Sequence, residues 1–270
     1  MSETENQLNY APPAPPAAPP PAAADDGSVM STPETLSGIF FEPGRTFEAL
    51  RARPRFLVAA LIATVAFMAF YWLYMSRVGY ENIINAEIEV RAQTNEMSED
   101  DKAKGRNVQM MTFVKALRYG APLIVVVIVF AAGGAIYLLG ALAMGKKISF
   151  KQALSVWTYS SLPPALLMML ANLLLLFIKP PTEDGEIARG LNGLVRANLG
   201  ILTDPDASPI LTTALASFDL FSIYGLFLAA LGLQKVARMS SGMAWTVALA
   251  PWLLGVLFRL LVSVFTKSAI

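Results

Sequence analysis

The chain has 270 residues, of which 55% are hydrophobic and 15% charged, with 21 Lys and Arg against 20 Asp and Glu. The net charge of +1 excludes nucleic acid as an expected partner. It has no Cys and no His, which excludes disulfides, thiolate chemistry, Ser-His triads, imidazole pH switches and the common histidine-containing zinc sites, and no cofactor is implied.

Residues 1–30 contain Glu3, Glu5, Asp25 and Asp26 but no Lys or Arg, so the positive n-region of a cleavable signal is missing. The run APPAPPAAPPPAAADDG, from Ala11 to Gly27, favours polyproline II and forbids helix. Residues 1–32 are expected to form a disordered cytoplasmic tail, as a flexible spacer or as a docking site for a proline-recognising module.

Thr32-Pro33-Glu34 has the pattern of an N-cap followed by proline at the first helical position. The apolar positions that follow are interrupted by Glu42-Pro43-Gly44-Arg45, too soon to span a bilayer. Residues 33–55 are therefore expected to be two short amphipathic helices on the membrane surface. Phe40, Phe41 and Phe47 would sink into the interface, with Arg51, Arg53 and Arg55 at the headgroups.

Five long apolar runs make up most of the remaining 56–266: Phe56–Met75, Ala121–Met144, Ala153–Ile178, Ser217–Gln234 and Trp245–Phe265. A membrane-crossing helix needs ~20 predominantly apolar residues, and a soluble helix of such length would carry a polar face that these lack. The predicted fold is an all-α, polytopic five-transmembrane-helix bundle in a lipid bilayer. Gly133-Gly134 and Gly140 in the second run allow close helix approach. Pro163 and Pro164 in the third must kink or break it. Such a kink serves packing, or marks a substrate site as broken helices do in transporters.

The first long connection, 77–118, is predicted to be an extracytoplasmic helical hairpin, its second helix capped by Ser98 ahead of Glu99, Asp100 and Asp101. The second, 179–216, has Ile187, Leu191, Leu194 and Val195 at helical spacing, a turn at Asp204-Pro205-Asp206, and Ser208-Pro209 capping a helix into the fourth run. Basic residues crowd the short stretches: Arg45, Arg51, Arg53 and Arg55, then Lys146, Lys147 and Lys151, then Lys235 and Arg238. By the positive-inside rule these face the cytoplasm, with the N-terminus inside and the C-terminus outside.

The fully charged residues inside the runs are Asp219 and Arg259. Charges at membrane depth usually face the bundle and pair, so an Asp219–Arg259 ion pair is expected, with Asn172 at the same level. It would be a clasp between helices or a polar site open to the outside; otherwise Asp219 is interfacial and Arg259 snorkels.

Four segments carry a family resemblance: Leu36 to Phe47, entering the first span through Arg53-Pro54; the basic loop with Ser149-Phe150-Lys151-Gln152-Ala153; Tyr159 to Pro164; and Ser217 to Tyr224 with Ala230-Leu231-Gly232-Leu233 following. Over roughly residues 34–265 the chain resembles the Ypt-interacting-protein (YIP) domain family, in its bacterial branch. The resemblance implies a five-helix bundle with a cytoplasmic N-terminus, in the bacterial inner membrane, and no catalytic residues. The eukaryotic role of binding small GTPases and vesicle machinery does not carry over, and the long insertion at 77–118 departs from the compact family pattern. An intramembrane protease lacks its parts, since Asp219 is the one acid inside the runs and His is absent. The expected function is that of a non-enzymatic membrane protein organising or contacting lipids, other membrane proteins or copies of itself; the alternative is a small permease or channel, which needs polar groups facing a shared cavity.

Overall fold

The computed structural model describes residues 30–95, 97–178, 194–204 and 207–266. The expected tail up to Val29, the helical spacing through Ile187 and Leu191, and Pro205 and Asp206 of the expected turn lie outside the described residues.

The described chain is helical, with no β-strand among the described residues. Ten α-helices follow in order: α1 Thr32–Phe41, α2 Pro43–Ala52, α3 Leu57–Val78, α4 Tyr80–Asn95, α5 Glu99–Met110, α6 Thr112–Ala143, α7 Phe150–Ile178, α8 Pro209–Ala216, α9 Leu220–Ala237 and α10 Ser241–Thr266. Five of them, α3, α6, α7, α9 and α10, are long and apolar enough to cross a membrane. Leu57, Leu61 and Val65 on α3 and Ile124, Val127 and Ile128 on α6 are exposed, as side chains facing lipid would be. The chain is an all-α polytopic membrane protein.

At one end α1 and α2 cap the bundle. The α1 N-cap is Ser31, one residue before the expected Thr32. Its hydroxyl accepts from the Glu34 amide, and the Glu34 carboxylate accepts from the Ser31 amide at 2.6 Å, a reciprocal capping box. The apolar face of the pair is spent on protein. Phe47 is fully buried, and a Cβ built on Gly232 of α9 would lie 2.8 Å from its ring. Phe40 packs against the same core, and only Phe41, 84% exposed, stays free for a membrane surface. The Arg55 side chain donates to the Met30 carbonyl, and the Arg51 backbone carbonyl accepts from Gln152 Nε2. Arg53 is exposed.

At the other end α4 and α5 form the expected hairpin, capped by Ser98. Both helices nearly continue the spans, with one-residue breaks at Gly79 and Met111. Gly79 has φ 88°, which favours glycine. Ile83, Ile84 and Ile88 bury against Tyr71, Tyr74 and Met75.

Two hydrophobic clusters stack along the bundle. One holds Phe47, Tyr159, Leu162 and Leu233, and the other Tyr74, Ile84 and Leu176. Neither takes in any α7 residue between Leu166 and Leu176, where the buried residue is the polar Asn172.

Glycines close the remaining contacts. Gly133 sits under the Trp157 indole, Gly134 against Leu154 and Gly140 against Val247, which brings α6 onto α7 and α10 as small residues do in membranes. The helix α7 runs unbroken through Pro163 and Pro164.

Candidate functional site

The fourth span is not one helix. α9 has 18 residues, about 27 Å at 1.5 Å per residue, at the short end of the lengths that cross a hydrocarbon core. α8 extends it, running beside the second half of α10, where Thr213 donates to Ser263 at 3.3 Å. Between α8 and α9 the chain breaks at Ser217-Phe218-Asp219.

Asp219 caps α9. Its Oδ1 accepts from the Phe221 and Ser222 amides at 2.9 and 3.0 Å, and the Leu220 amide donates to the Ala197 carbonyl at 3.0 Å. The first-turn amides that a helix leaves unpaired are thereby used. Segment 194–204 that supplies Ala197 is pinned on its other side by Asn172, whose Oδ1 accepts from the Val195 amide at 2.9 Å. The Asn172 side chain and the Leu220 amide thus hold one strip of chain from two helices.

Arg259 is not part of this arrangement. The ring of Phe218, next to Asp219, meets Trp252 at 5.6 Å. Arg259 lies seven residues further along α10, about 10 Å at 1.5 Å per residue, and is exposed. No Asp219–Arg259 ion pair forms, because the helix break moves Asp219 to the middle of the bundle while Arg259 stays near the hairpin end.

At the level of Asp219 a cavity of about 380 Å³ opens between α6, α7, α9 and α10. Asp219 lines it, with Ser222 from α9, Ser160 and Ser161 from α7, and Tyr137, Trp157 and Trp252. Pro164 on its wall is equidistant in sequence from the two ends of α7, so the cavity sits halfway along α7. Pro164 has no N–H and frees the Ser160 carbonyl from its usual helical donor. The Ser160 and Ser161 hydroxyls both donate to the Trp157 carbonyl, which leaves their oxygens as acceptors. Asp219 Oδ2 has no hydrogen-bond partner among the described residues. No group of three His, Cys, Asp or Glu side chains among the described residues is placed to hold a metal ion.

Across α7 lies a second, apolar recess of about 580 Å³ between α3 and α6, walled by Phe67, Val125, Val129, Phe130 and Met169. At its hairpin end Arg118 pairs with Glu87. Pro122 frees the Arg118 carbonyl, and the Tyr71 hydroxyl donates to it at 2.9 Å.

Two segments singled out in the sequence meet at the cavity beside Asp219: Tyr159 to Pro164 contributes Ser160, Ser161 and Pro164, and Ser217 to Tyr224 contributes Asp219, Phe221 and Ser222. The Yip1 domain model matches residues 37–262. The chain belongs to the Yip1 domain family. The match takes in both recesses and the hairpin, and the family is not one of enzymes. Neither a curated protein nor a solved structure matches the chain. Sequence reasoning reached Asp219, Asn172 and the prolines of this Yip1 domain but missed Tyr137, Trp157, Trp252 and the Tyr71–Arg118 contact. A signal for the last was available: Pro122 inside a span strands the carbonyl four residues before it.

Proposed function

We propose that this Yip1 domain is a non-enzymatic protein of the bacterial cytoplasmic membrane that organises or contacts lipids or other membrane proteins, a second copy of itself included, through its lateral surface. The observation that carries this reading is the recess between α3 and α6. It is apolar along its length, is walled by exposed Val125 and Val129, and ends at the Arg118–Glu87 pair. Such a groove suits an acyl chain or an apolar helix rather than a water-soluble substrate. The basic residues at the α1–α2 end support a cytoplasmic N-terminus and an extracytoplasmic C-terminus. Lys235 binds Glu48 there at 2.6 Å, Arg45 and Arg51 lie on α2 with Glu48, and Arg53 and Arg55 follow it. Crosslinking in native membranes followed by mass spectrometry tests the proposal. One lipid class or one protein recurring among the adducts is the expected result. Purified protein that moves a solute across liposomes, with no recurrent adduct, would contradict it and favour a permease.

A further inference from the structure

We infer that the recess between α3 and α6 binds an anionic phospholipid, with one acyl chain inside it and the phosphate at Lys115 and Arg118. This rests on the lateral reading above and names the occupant. Shape narrows the choice first. The α6 wall runs from Arg118 to Phe130, about 18 Å at 1.5 Å per residue. A volume of about 580 Å³ spread over that length is a channel about 6 Å across. A helix with its side chains needs about 10–12 Å, so an apolar helix can lie over the recess but cannot fill it. An extended hydrocarbon chain can. Ala63, Ala121 and Ala165, one from each of α3, α6 and α7, keep the channel open, and Phe67, Val125 and Met169 give it apolar walls.

Burial of the chain selects no lipid by itself, because the surrounding bilayer is as apolar as the recess. Selection comes from the polar end. Arg118 lines the recess there. Glu87 takes its Nη2, and its remaining side-chain donors meet no acceptor among the described residues. Lys115 lies one turn further along the same face of α6. It is exposed, its Nζ sits 5.0 Å from the centre of the Tyr80 ring, and it pairs with no acid among the described residues. Glu87 thus offsets one of the two cations and the other remains. A phosphate oxygen accepts charge-assisted hydrogen bonds from both side chains. A choline headgroup brings its own cation to the same place and gains less. The favoured occupant is a headgroup whose phosphate charge is not cancelled.

The test uses the full chain with a photocrosslinking residue in place of Val129, which lines the recess and is exposed. The nanodiscs hold equal parts of phosphatidylglycerol and phosphatidylcholine with identical acyl chains, and mass spectrometry counts the adducts. Phosphatidylglycerol should exceed phosphatidylcholine about fivefold or more, the scale of one cation's attraction to an anionic headgroup. Lys115→Gln, at an exposed position, should bring the ratio close to one to one. Arg53→Gln removes an exposed cation at the opposite end of the bundle and should leave the ratio unchanged, which separates this site from a general attraction of anionic lipid to basic residues. Equal capture of the two lipids, a ratio insensitive to Lys115→Gln, or a ratio that falls as far in Arg53→Gln would overturn the proposal. Peptide adducts in place of lipid would overturn it too and leave lateral contact standing, since that reading fails on solute movement without a recurrent adduct in native membranes.

Discussion

The main-chain carbonyl of Arg118 would be stranded by Pro122 if Tyr71 did not reach it at 2.9 Å. A buried acceptor left without a donor costs about 1–3 kcal/mol, so Tyr71→Phe should lower stability in detergent by that amount. With Pro122→Ala in place the helix supplies its own amide, and the same Tyr71→Phe change should cost little. Equal losses in both backgrounds would mean that the phenol does not serve this carbonyl. Gly232 makes a second residue-scale case. An added Cβ would press on Phe47 and Val156, each at 2.8 Å. Overpacking typically costs about 1–3 kcal/mol, and Gly232→Ala should lower the melting temperature accordingly. An unchanged melt would show that α2 can lift away from α9.

At the scale of elements, the α1–α2 cap is a docked part of the bundle. Phe47→Ala should cost about 3–5 kcal/mol, as truncation of a buried phenylalanine does, while Phe41→Ala, at an exposed position, should change stability by no more than about 0.5 kcal/mol. Comparable losses for the two would place both rings in lipid. The start of α1 is also pH-dependent. The Ser31 amide, then its hydroxyl, hold Glu34 below its ordinary value of 4.5. A lowered folded pKa contributes stability that is present above the unfolded value and lost as pH falls through the folded one. A nitroxide at Ser37 should therefore gain mobility below about pH 4.5, and Glu34→Gln should abolish that pH dependence. A label whose mobility ignores pH in the parent chain would show that the capping box does not hold α1.

The same elements show what could be read from the residues. Gly133, Gly134 and Gly140 were legible as close-approach sites because a missing side chain on an apolar helix has few other uses. The spans were legible from length alone. The fate of Phe47 was not, since an amphipathic face looks the same whether lipid or protein covers it, and the notch at Gly232 decides. Asp219 was misplaced for a related reason. Asp219 is a good N-cap residue, but an acid in an apolar run reads equally as half of an ion pair, and the backbone contact that fixes the break, Leu220 to Ala197, comes from a segment remote in sequence.

For the whole molecule, the two recesses flank α7, with Ala165 lining each of them. Orientation can be checked because the chain has no cysteine. A cysteine at Ser98 should react with an impermeant thiol reagent in intact cells and one at Ser149 should not; the reverse pattern would invert the bundle. Lateral contact is the central claim, and a pair of photocrosslinkers on α6 tests it most directly. Val125 lines the groove and is exposed, and Ile124 beside it is exposed at the same depth but outside the groove. In native membranes the probe at Val125 should capture one lipid class or one protein repeatedly, while that at Ile124 captures the bulk lipid mixture. Identical adducts at the two positions would contradict a selective lateral site.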